Sequence, residues 1–204
     1  MVDVSAPEGA EPGARRAAPG TLRLVQAFVN TFDWEARRDA LSSLDGLHGW
    51  LADEHLVEPE TEIGILALRQ AAAVREGLRA MARANNGVPL DQEALALMDM
   101  TIQELRIAMS LTSEGSLTLV APSPFGQAMA EILDVVRTAM DDGRWRRMKA
   151  CRRDVCRWLF YDGSRNQSSH WCTMDICGNR EKSKSAYHRR KDRLAGESVK
   201  APKA

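Results

Sequence analysis

The first 150 residues contain no cysteine; all four lie between Cys151 and Cys177. Long apolar runs are missing too. Stretches such as "AMAEILDVV" are interrupted well short of the ~20 residues that a membrane-spanning helix needs. The N-terminus has no apolar core of the kind that directs secretion. A cytoplasmic protein with no membrane partner is therefore expected. The chain also lacks a Gly-rich phosphate loop, a nucleophile elbow and histidines paired at i, i+4. His48 and His55, with Asp53 and Glu54 between them, are the one alternative to that emptiness, and a solvated helix face is the preferred reading of them. An enzyme is not expected.

A net charge of zero conceals an uneven distribution. Residues 1–143 carry 11 Lys+Arg against 22 Asp+Glu, and residues 144–204 carry 17 against 6, a balance of −11 and then +11. The basic part is suited to nucleic acid or to its own acidic half. A linker near Gly143 would let the two halves approach, so that the acidic body competes with a polyanion for the basic part.

Composition divides the chain. Residues 1–20, rich in Ala, Pro and Gly, read as a disordered leader. Residues 21–143 read as a helical domain. "TLRLVQAFVNTF" sets Leu22, Val25, Phe28, Val29 and Phe32 on one stripe. Further helices are expected with Ser42 or Ser43, Thr61, Asp91 and Ser123 as N-caps. Asn85-Asn86-Gly87 and Asp142-Gly143 should end two of them. The stripe Leu95, Met98, Ile102, Leu105 and Met109 is assigned to one helix, and "SLTLV" to an isolated strand. Residues 144–195 form a separate small module, and 196–204 a disordered tail.

That module has the spacing Cys151-x4-Cys156, 15 residues, Cys172-x4-Cys177. In a reducing compartment, two close pairs joined by a hairpin-sized insert suit a tetrahedral four-thiolate site better than two disulfides. One structural Zn2+ per chain is expected, with an iron–sulfur cluster as the alternative. His170 is read as a surface or phosphate-facing residue, because a fifth ligand would overfill the shell. "CRWLFYD" is read as a strand, and Trp158, Phe160, Trp171 and Tyr187 as a mini-core rather than base-stacking platforms. Asp162, Ser164 and Asn166 should hold the hairpin loop. After Cys177, Arg180, Lys184, His188 and Lys191 fall on one basic helix face. With Arg165, Lys182 and Arg189 they are the candidate nucleic-acid contacts. Arg180, next to the last ligand, has bracing of the knuckle as its second reading.

"WCTMDICGNR", with "CRWLFYDGSRN" and "KSKSAYHRR" around it, closely resembles the CGNR zinc finger over about residues 145–193. "LRLVQAFVNT" and the helices after it resemble the ABATE domain, with "VQAFVNT" where "LDFVNT" is common. The resemblance implies Cys151, Cys156, Cys172 and Cys177 as the four metal ligands and a stress-induced transcriptional regulator as the function. The expected fold is mainly α: a helical N-terminal domain followed by a small treble-clef-like zinc finger with a short β-hairpin and a C-terminal helix. The expected function is zinc-dependent DNA binding, with the helical domain dimerising the chain or sensing a small-molecule effector. The alternative is a basic zinc module that binds RNA or an acidic protein without reading sequence.

Overall fold

The apolar stripe that opens the helical region becomes α1 (Leu22–Asn30), which buries Leu22, Val25, Phe28 and Val29 completely. The computed structural model describes residues 16–184, Tyr187 and Arg190. α2 (Leu44–Asp53) starts at Ser43, whose hydroxyl accepts from Gly46 N–H. α3 (Leu66–Ala84) is the longest helix. α4 (Gln92–Glu104) is capped by Asp91, and α5 (Pro124–Asp141) by Ser123 with Pro124 in the first turn. α3 and α4 approach closely at Gly77, where a Cβ would come within 2.6 Å of Met98 Sδ. Residues 16–20 lie against α1: Ala18 is buried, and its N–H and the Arg16 carbonyl both bond to the Gln26 side chain.

Two helix boundaries differ from expectation. Thr61 is not the cap of α3. Residues 61–64 form no regular secondary structure, and the helix begins at Leu66 with Ile65 as a cap that makes no side-chain bond. Gly64, with its high helix cost, separates Thr61 from that start. Met109 does not extend the α4 stripe. The helix ends at Glu104, Arg106 turns to φ +54°, and Ile107 N–H returns to the Ile102 carbonyl, as in a Schellman closure. Met109 instead lies exposed in β3 (Ala108–Leu111), which pairs antiparallel with β4 (Leu117–Val120), so "SLTLV" is half of a hairpin. A shorter ladder, β1 (Phe32–Asp33) with β2 (Arg38–Asp39), follows α1.

The largest departure concerns the expected linker at Gly143. Gly143 does turn the chain, with φ +77°, but a single 3-10 turn (Arg144–Arg147) follows and buries Trp145. It leads into β5 (Met148–Ala150), paired antiparallel with β6 (Leu159–Tyr161). Met148, Ala150 and Leu159 belong to the same core as Leu22, Val25, Leu78 and Ile132. Strand side chains alternate between faces, and on the other face Trp158 packs in a separate cluster with Cys151, Cys156 and Cys177. One hairpin therefore serves as a wall of both the helical core and the cysteine module. Separation of the two regions about Gly143 would expose apolar surface of β5, β6 and the helical core.

Polar side chains reinforce that wall. Asn30 pairs with Leu159 through two bonds: its amide donates to Leu159 O (3.0 Å) and its carbonyl accepts from Leu159 N–H (2.8 Å). It thus takes the place of a neighbouring strand for β6. Gln26, one helical turn earlier, also donates to Leu159 O. Asn85 donates to the carbonyls of Trp145 and Met148, and Asn86 to that of Ala150. Asn30→Ala leaves a buried N–H and a buried carbonyl without this partner. It is expected to destabilise the chain by roughly 2–4 kcal/mol, measured by urea denaturation.

Candidate metal centre and basic face

The β5–β6 hairpin positions the first cysteine pair. Cys151 follows β5 directly, and its N–H donates to Trp158 O at 2.9 Å. Between them the chain tightens, with Cys156 N–H on Arg153 O and Arg157 at φ +51°. Of the second pair, Cys172 lies just before, and Cys177 within, one π turn, Met174–Gly178, capped by the Thr173 hydroxyl. From it the chain continues as helix over 179–184. Gly178 leaves little room there: an added Cβ would require Met174 Sδ to move and would lie 3.2 Å from the Trp171 ring.

These two turns bring the four sulfurs within 4.8 Å of one another. The Cys156–Cys172 and Cys172–Cys177 separations are both 3.7 Å. A zinc tetrahedron with Zn–S bonds of ~2.3 Å has edges of ~3.8 Å, so the spacing fits. No disulfide is present among the four. Three of the sulfurs are on buried residues and Cys172 is half-buried, with Trp158, Trp171 and Ile176 packed around them. Among the described residues there is no other comparable cluster of His, Cys, Asp and Glu. His48 is half-buried in α2 and His55 is exposed beyond its end, so neither joins a site.

Charge explains why this set calls for a cation. Hydrogen bonds from Cys151 and Cys156 bring the Cys177 thiol down to about 7. The bonds it makes to Cys156, Cys172 and Cys177 push Cys151 far up. Cys156 is raised as well: the bond with Cys151 favours its thiolate, but Cys172, Cys177 and burial outweigh it. One thiolate is readily held by its neighbours; four require a metal to displace the remaining protons. The Arg153 guanidinium, which burial disfavours but Glu35 and the Cys177 sulfur hold charged, lies beside this centre.

Asp162 supports the insert between the pairs. Its carboxylate takes Lys149 Nζ at 2.7 Å, Ser164 N–H and hydroxyl, and Ser169 N–H. Burial opposes ionisation, yet Lys149 and these donors hold the carboxyl well below its usual range. Lys149, itself buried, also donates to Gln167 O and Ser169 O. His170 is half-buried and bonded to the end of α3: its Nδ1 is 2.8 Å from Asn86 Oδ1, and the Asn86 amide donates to His170 O. Tyr187 is 66% exposed and outside the mini-core, whereas Trp158 and Phe160 are buried and Trp171 half-buried.

Of the expected nucleic-acid contacts, Arg165, Arg180, Lys182 and Lys184 are exposed. His188, Arg189 and Lys191 lie outside the described residues. Arg180 and Lys184 line a cavity of about 350 Å3 together with Arg152, Arg153, Asp154 and Glu181. Arg180 also reaches the helical body, where Glu35 accepts from it at 2.7 Å and from Arg153 at 3.0 Å. Arg152 and Arg153 were not among the sequence candidates. Their place inside a cysteine pair was the available signal, because a knuckle turn projects its intervening residues outward. No helix among the described residues is long and apolar enough to cross a membrane.

Residues 147–190 match the CGNR zinc finger, and residues 22–146 match ABATE, described as a "putative stress-induced transcription regulator". Neither description is that of an enzyme. No curated protein matches the chain. The match over more than half of its length, together with the four gathered sulfurs at its C-terminal end, makes the chain a member of the ABATE family carrying a CGNR zinc finger.

Proposed function

We propose that this protein is a DNA-binding transcriptional regulator of the cytoplasm, in which Cys151, Cys156, Cys172 and Cys177 hold one structural Zn2+. Four protein thiolates leave no open coordination position, so the metal organises structure rather than chemistry. The observation that carries the reading is the basic cavity beside the knuckle, where Arg152, Arg153, Arg180 and Lys184 converge against two acids. Phosphate oxygens accept from such groups, and the resulting affinity falls with salt as counterions are released. Arg165 and Lys182, both exposed, extend the basic surface; in the sequence His188 and Lys191 continue the stripe of Arg180 and Lys184, with Arg189 beside it.

Glu35 competes for two of the four cations. The electrostatic opposition between the acidic and basic regions is therefore local. It needs no hinge, only release of two guanidiniums from one exposed carboxylate.

The test is binding of the full zinc-loaded chain to a labelled duplex across a salt series. Arg180→Ala and Lys184→Ala should each reduce the log–log salt slope by roughly one unit. Glu35→Gln should tighten binding at low salt and converge with the parent at high salt. A preference for some sequences that survives non-specific competitor is expected of a regulator. Equal competition by RNA or by an acidic polypeptide would instead make the module a general polyanion binder.

A further inference from the structure

The β3–β4 hairpin has two edges, and only one of them is covered. Its register, with the bond from Thr112 N–H to Ser116 O, sets the alternation along the ladder. Ser110 and Thr118 are a hydrogen-bonded pair, so Met109 and Leu111 direct their N–H and C=O groups away from β4. Leu117 and Leu119 direct theirs away from β3 in the same manner. On the β4 side, Arg137 donates to Leu117 O, and Gln127 accepts from Ala121 N–H just past the strand. On the β3 side, no bond reaches the outward groups of Met109 and Leu111 among the described residues.

An open edge invites a further strand, and folded proteins protect such edges with charge, proline or a bulge. β3, Ala108–Leu111, has none of these. Met109 and Leu111 are instead 64% and 70% exposed, and Leu117 is exposed beside Leu111. Ile65 and Leu66, also exposed, lie at the same end of the body, because Arg69 bonds Glu104 at the end of α4. With those two charges paired, exposed Arg106 and Glu114 flank the strand.

The strand is complementary to itself. Turned about a two-fold axis through Ser110, it meets a second β3 antiparallel, and Met109 faces the second copy's Leu111. These two residues then exchange N–H···O bonds on both sides of the axis. The same register directs Arg106 toward the second copy's Glu114, and Glu114 toward its Arg106. Neighbouring registers do less. Centring on Met109 calls on Ile107 N–H, already bonded to Ile102 O, and centring on Leu111 calls on Ser113, in the turn.

We propose that the chain forms a two-fold dimer through β3, joining two hairpins into one four-stranded antiparallel sheet. The paired surface is short, so the dimer is a weak one. It is independent of what the basic face binds, and it carries two such faces related by the same axis.

Sedimentation of the full-length, zinc-loaded chain over ~1–200 µM covers the range in which a weak dimer dissociates. A concentration-dependent dimer is expected, and a monomer throughout overturns the proposal. Met109→Lys combined with Leu111→Lys, both at exposed positions, should abolish it. Arg106→Glu or Glu114→Arg alone should weaken it at least about threefold, and the two together should restore it. Ser110→Cys gives a readout that does not depend on those variants folding. Across a non-hydrogen-bonded pair the Cα atoms are ~4.5 Å apart, within disulfide reach. Mild oxidation should therefore link two chains at this position with zinc content unchanged. Ser113→Cys, in the turn and away from the axis, should not link. A dimer that survives the paired lysines, or equal cross-linking at the two positions, overturns the β3 contact.

Discussion

Cys172→Ser is expected to reduce the zinc content from one ion per chain to none, read by elemental analysis after removal of loosely bound metal. Cys172 Sγ lies 3.7 Å from both Cys156 Sγ and Cys177 Sγ, and its loss removes one vertex, and with it three edges, of the tetrahedron. Structural zinc contributes on the order of 10–16 kcal/mol to the folding of isolated finger peptides, far more than so small an apolar cluster replaces. The two sides of the β5–β6 hairpin should respond differently. The turns over 151–157 and 171–184 have the cysteine cluster as their apolar support and should lose protection from hydrogen exchange. Leu159 and Met148 stay buried in the helical core, and Asn30 still holds Leu159. The helical signal should persist while the melting temperature falls by roughly 10 °C. Retention of a full complement of zinc would show that the four-thiolate centre is misassigned.

Arg79→Ala should have the largest effect of any substitution outside the cysteines, a loss of about 3–5 kcal/mol by chemical denaturation. The side chain is 2% exposed and donates to three backbone carbonyls from two parts of the chain: Val29 at 2.6 Å and Phe32 at 3.3 Å from the end of α1 onward, and Arg157 at 2.9 Å from the knuckle. Its Nε also donates to Glu76 at 3.0 Å. Burial lowers the guanidinium's proton affinity and Glu76 raises it; the partners, rather than solvent, make the charge tolerable. Truncation leaves those acceptors buried with one donor fewer each, which is why removing one member of a buried network costs more than the network contributes. Arg79→Met, of similar length, should be nearly as damaging, since it fills space and donates nothing. Arg69→Ala, which breaks the exposed Arg69–Glu104 pair, should leave the melting temperature unchanged.

The residues that were legible in advance act through periodicity, capping or paired spacing. The α1 stripe from Leu22 to Val29, the caps Ser43, Asp91 and Ser123, and the two cysteine pairs behave as their local pattern implies, whereas Phe32, assigned to that stripe, falls beyond the helix in β1. The residues that join the two regions have no such pattern. Asn86 looks like a residue that ends α3, and it does follow that helix, yet its side chain binds Ala150 and His170. Arg75 and Arg79 look like solvated charges on α3 but are almost fully buried. Side-chain bonds to distant backbone have no sequence period, and an amide or guanidinium reads the same whether its partner is water or a strand 60 residues away. One trace was present: Gln26 and Asn30 interrupt the apolar stripe of α1 at i, i+4, and two polar groups on a buried face imply a shared acceptor. That acceptor is Leu159.

The shared hairpin makes the finger and the helical body one folding unit, and differential scanning calorimetry of the zinc-loaded full chain tests this most directly. A single transition is expected, with calorimetric and van't Hoff enthalpies equal, moving as a whole to lower temperature when a chelator removes the metal. Two separable transitions, with only the smaller one lost to the chelator, would contradict it and restore the picture of a zinc module tethered to an independent helical domain.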